Sequence, residues 1–149
     1  MKKLFFFLFF TAFFTSISAQ SVNQDLIGEW VGKGDIIVTW CELDSLSFDI
    51  KIAEDNSVSG KIGDAEISAA KLEKRSAIME ALGNGEYIIE GKLKGAIVKD
   101  EKISRESFLI MFNLENGVIK GGMHTSGSKF GGKEKMVLTV SPLTLKKKK

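Results

Sequence analysis

The sequence predicts an all-β protein: about eight antiparallel strands in an up-and-down barrel, with one short helix. Three observations carry the expectation. Leu46, Phe48, Ile50 and Ile52 alternate with Ser47, Asp49 and Lys51, the period of a half-buried strand. Asn116-Gly117 separates two β-type runs by two residues, and a type I′ hairpin turn needs φ > 0 at both central positions. Turn residues recur at short intervals elsewhere, with no sign of a parallel crossover. An open sheet of that size would present exposed edges, and closing it removes them.

The chain begins Met1-Lys2-Lys3, runs apolar from Leu4 to Phe14 and ends in small residues at Ser18-Ala19. A positive start, an apolar middle too short to span a bilayer comfortably and a small-residue end read as an export signal over 1–19. A retained membrane helix is the alternative. The mature protein is expected to be periplasmic or extracellular, a single domain over 20–149 with no integral membrane segment. The leader holds seven of the eleven phenylalanines and two lysines, so the remainder carries 19 basic and 19 acidic residues. That balance argues against nucleic acid, which needs a basic stripe to displace counterions. Lys146 to Lys149 form a short basic C-terminal run, expected as a solvated tail or a weak contact with anionic surfaces. Cys41 is the single cysteine and cannot form an intrachain bridge. It is expected as a small buried residue beside Trp40, with a reactive thiol or an intermolecular bridge as alternatives.

After a polar arm to Asp25, a long first strand is expected from Leu26 to Trp40, bent or broken at Gly32 and Gly34. Cys41 to Asp44 connects it to the alternating strand. Asp55-Asn56 turns the chain into Ser57 to Ile62, and Gly63-Asp64 turns it again into Ala65 to Lys74. In Ser76 to Gly83 the β rhythm breaks: Ile78, Met79 and Leu82 share a helical face, Ser76 can cap the start and Gly83 can stop it. The alternative extends this helix back to Ile67. Glu86 to Val98 resumes extended chain, and Asp100 to Arg105 reads as a charged loop. The last strand, Glu134 to Leu145, contains Pro142, which donates no hydrogen bond and demands a bulge, a sheet margin or an end.

The Asn116-Gly117 hairpin can be read residue by residue. A two-residue loop sets Glu115 against Val118, Leu114 against Ile119, Phe112 against Gly121, Ile110 against Met123 and Phe108 against Thr125. Phe108, Ile110, Phe112, Leu114, Ile119 and Met123 then share an apolar face; Leu109, Met111, Asn113, Lys120 and His124 share a mixed one. Gly121 suits a position beneath the Phe112 ring.

Leu26-Ile27-Gly28-Glu29-Trp30 resembles the Gly-x-Trp signature that opens the first strand of lipocalin-like barrels, the calycin group that includes fatty-acid-binding proteins and avidins. The resemblance implies that Trp30 packs across the closed end of the barrel. The chain's two arginines, Arg75 and Arg105, do not stand on the last strand, where that family commonly sets one against the tryptophan, and its Thr-Asp-Tyr type motif is not evident. With the meander, the Asp55-Asn56 turn, the helix and the Asn116-Gly117 turn share the end of Trp30, with Ile78, Met79 or Leu82 as a plug. The opposite end, the open mouth in that family, gathers Cys41 to Asp44, Gly63-Asp64, Asp100 to Arg105 and Thr125 to Lys133.

No motif announces a reaction. Gly127 to Lys133 matches the spacing of a phosphate loop, but Glu134 stands where Ser or Thr should ligate magnesium, and the segment leads into a strand instead of a helix. His124, the one histidine, has no nucleophile elbow beside it and reads as a surface or loop-anchoring residue. No metal-ligand spacing occurs. The expectation is a non-enzymatic binding protein, without cofactor and monomeric, that holds a small apolar or amphipathic ligand in the barrel. The alternative is a protein-interaction module, inhibitor-like or envelope-associated, that uses loops on a packed barrel. Thr125 to Lys133 is longer than a turn needs and reads as a functional loop or a linker. The expected ligand contacts are Ser126, Ser128, Lys129 and Phe130 on that loop, with Phe108 and Met123 from within.

Overall fold

The structure, a computed structural model, describes residues 23–38, 41, 43–81, 83, 85–98, 103–129 and 135–149. The expected leader, Trp40, Leu82 and Phe130 lie outside them. The strands are β1 (Gly28–Ile36), β2 (Ser45–Ile52), β3 (Ser57–Ile62), β4 (Ala65–Lys74), β5 (Tyr87–Lys94), β6 (Ile103–Glu115), β7 (Val118–Lys129) and β8 (Lys135–Lys147), with a short helix α1 (Ala77–Ala81) between β4 and β5. Each strand pairs antiparallel with the next, and β8 pairs back onto β1, so the sheet closes as an eight-stranded up-and-down barrel.

Alternation does the sorting. In β2 every second residue, from Leu46 to Ile52, is buried, and the residues between point to solvent. The β6–β7 hairpin has the register its turn dictates: Phe108 against Thr125, Ile110 against Met123, Phe112 against Gly121. Asn116 and Gly117 both have positive φ, 52° and 74°. A Cβ added to Gly121 would stand 2.7 Å from Phe112 Cα and Cβ and would run into the Met111 carbonyl oxygen, so only glycine lets the strands approach this closely. Pro142 sits in a bulge. Between Val140 and Leu143, β8 places two residues, Ser141 and Pro142, against one residue of β7.

Several expectations are corrected. The first strand starts at Gly28, not Leu26, because 24–26 form a 3-10 turn whose N-cap Asn23 side chain accepts from the Asp25 amide. Ala65 to Lys74 is strand throughout, as expected, and it is the alternative of a helix reaching back to Ile67 that fails; backbone pairing of β4 with both β3 and β5 outweighs the helix tolerance of its alanines. The charged stretch expected as loop joins β6 from Ile103, and the long Thr125 to Lys133 loop is strand as far as Lys129. There β7 pairs with Ile103 on one side and Lys135 on the other, so backbone ladders override the loop character of Ser126, Gly127 and Ser128. The basic run is exposed, as expected, but its first two residues, Lys146 and Lys147, still belong to β8.

The closed end differs too. Trp30 is fully buried and its indole N–H donates to the Leu26 carbonyl at 2.8 Å. Leu26, also fully buried, is brought under the barrel by the 3-10 turn. The expected plug does not form from Ile78 or Met79, which are 77% and 43% exposed. Five residues of helix on a surface connection bury nothing, and the N-terminal turn already fills the space.

Candidate functional site

Among the described residues, the side chains at the centre of the barrel are closely packed. A side chain beside a void large enough for water exposes surface to it; Trp30, Ile52, Ile89, Ile110, Met123 and Val140 expose none. An eight-stranded barrel is about the size that side chains can fill. Thr125, the one buried polar residue among those described, faces inward and donates its hydroxyl to the Ser107 carbonyl at 2.7 Å.

Among the described residues, grooves open on the outside of β4 to β8. One groove of about 490 Å³ crosses β5 to β8 and is lined by Ile88, Glu90, Leu109, His124, Ser126 and Val137, among others. A second, about 460 Å³, runs between β4 and β5 past Ala69, Lys71, Glu73 and Ile88. A third, about 300 Å³, lies over Met111, Asn113, Gly122 and Ser141. Strand register orders this face into rows. Ile88, Met111 and Gly122 form one row; Glu90, Leu109, His124 and Thr139 form the next; Lys92, Ser107, Ser126 and Val137 form the third. Ile88, Leu109 and Met111 are half-buried, and Val137 is 50% exposed.

Polar groups rim this apolar stripe. His124 Nδ1 lies 3.1 Å from Thr139 Oγ1, a contact that orients the ring. Arg75 reaches Met111 Sδ at 3.8 Å. At the lower margin Lys74 pairs with Glu86 at 3.0 Å, and that carboxylate raises the lysine's pKa. Tyr87 is raised as well, chiefly by burial. Among the described residues no three metal-ligating side chains come together.

Of the expected contact residues, the three whose side chains the structure describes, Phe108, Met123 and Ser126, do not converge. Phe108 and Met123 face inward and are packed, at 2% and 0% exposure. Ser126 is exposed on the outer face, in the third row. Ser128 and Lys129 belong to β7, with Ser128 opposite Ser104 and Lys135 and Lys129 opposite Ile103. Phe130 lies outside the described residues. Ile88, Glu90 and Val137 were not anticipated, although Tyr87-Ile88-Ile89, Leu109-Ile110-Met111 and Met136-Val137-Leu138 each put apolar residues at consecutive positions. In a strand with a wet face, such a run must turn an apolar side chain outward.

Comparison with protein-family models, curated proteins and solved structures finds no match to this chain.

Proposed function

We propose that this chain is a lipocalin-like barrel that works outside the cytoplasm as a non-enzymatic binding protein and engages its partner on the outer face of β4 to β8, not in its interior. The observation that carries the reading is the contrast between a core without water-sized space and grooves that open on the outer sheet face. A ligand inside would have to displace packed side chains such as Phe108, Phe112 and Met123. The lipocalin-like assignment is supported by Gly28 and Trp30 at the head of β1 and by a cation from the last strand over the indole, Lys147 taking the place where that family commonly has arginine. The test is mass spectrometry of organic extracts from the protein purified after export. No stoichiometric small molecule is expected, and a co-purifying lipid at one per chain would overturn the packed-barrel reading.

A further inference from the structure

The outer face of β5, β6 and β7 has an arrangement that is complementary to itself. Resting on the outer-face reading above, we infer that its partner is a second copy of this chain, packed face to face about a two-fold axis that runs along β6. Such an axis keeps each row in place and exchanges β5 with β7 across the interface. Leu109 and Met111, on β6, then meet their own counterparts and form the apolar centre. Ile88 on β5 lies opposite the second copy's Gly122 on β7, since both belong to the Met111 row. A bulky side chain thus faces bare backbone: the nearest atom to a Cβ added at Gly122 is the Val140 carbonyl oxygen at 3.2 Å, and the other contacts are beyond it.

The charges follow the same exchange. Glu90 lies opposite the second copy's His124 in the Leu109 row, and Lys92 lies opposite Ser126 in the next. No like charges meet in these three rows. Thr139 occupies the Nδ1 side of His124, which leaves the Nε2 edge to face the incoming carboxylate. Turning the axis across the strands instead would exchange the first and third rows and set Lys92 against Ile88 and Met111 against Ser107. That arrangement buries a charge against an apolar side chain without a partner, so the face selects the first. An isologous contact of this kind closes after two copies.

Sedimentation velocity of the exported protein over a wide concentration range reads the outcome. A reversible monomer–dimer equilibrium is expected. Leu109→Glu, which brings two carboxylates together on the axis, should raise the dimer dissociation constant at least about tenfold, because like charges across an interface are strongly unfavourable. Glu90→Lys and His124→Glu should each weaken the dimer, and the double variant should recover it by setting a lysine against a glutamate in exchanged positions. These residues lie on the outside, so a urea midpoint for each variant verifies that the barrel is intact. A monomer at every concentration would overturn the inference and leave the packed-barrel reading standing. A dimer indifferent to Leu109→Glu, or a double variant no better than the singles, would also overturn it. A co-purifying ligand bears on the packed core alone.

Discussion

Lys147, on the last strand, holds its ammonium 5.6 Å from the centroid of the Trp30 ring, on the first. The indole is thereby fixed from two sides, with its N–H bonded to Leu26 in the N-terminal turn. Trp30→Ala removes a fully buried ring and should cost about 3–5 kcal/mol through lost transfer energy and the cavity left behind. Lys147→Met keeps the stem and loses the cation, so about 0.5–1 kcal/mol is expected. Urea midpoints measure both. Equal effects from the two variants would contradict this division.

The β6–β7 hairpin separates two reasons for glycine. At Gly117, φ is 74° but an added Cβ meets nothing within 4 Å, so Gly117→Ala should cost about 1 kcal/mol of backbone strain. Gly121→Ala drives a methyl into Phe112 and the Met111 carbonyl and should cost about 1–3 kcal/mol or more. Thermal unfolding of the pair tests the order, Gly121→Ala being the more damaging.

Asp55 links the hairpin turn between β2 and β3 to pH. The Ser57 hydroxyl and backbone amide both donate to its Oδ1, at 2.6 and 3.0 Å, and lower its pKa below the ordinary carboxylate value of 3.8. A depressed carboxylate stabilises the fold above its unfolded pKa and loses that contribution as pH falls through the folded one. The difference in urea midpoint between the parent and Asp55→Ala should therefore be constant at neutral pH and shrink below 3.8. A gap that widened with acid would contradict the sign.

Helix α1 offers a negative control. Ile78→Ser and Met79→Ser replace exposed side chains and should each leave the unfolding midpoint within about 0.5 kcal/mol of the parent. A loss of several kcal/mol from either would mean that the helix covers the barrel end after all.

Local chemistry determined a large part of this molecule. The Asn116-Gly117 turn set the register of the longest hairpin, because a two-residue I′ loop admits one pairing and alternation then assigns each side chain to a face. The strand boundaries at Ser57, Ile62 and Ala65 were legible because each abuts a turn residue, Asn56, Gly63 or Asp64. Tertiary structure decided what local signals leave open. Residues 125–129, read from sequence as part of a long loop, became strand because two neighbouring backbones were there to pair with them, and Leu26 left the first strand to fill the closed end. The same holds for the candidate site. Phe108 and Met123 were legible as inward residues, but whether inward meant a cavity depended on how eight strands' side chains met at the centre, and they met without a gap. The outer grooves arise from rows that join residues far apart in sequence, Ile88 with Met111 and Glu90 with His124 across Leu109, and the pairing of β5 with β6, which no turn signal sets, is what brings those rows into being.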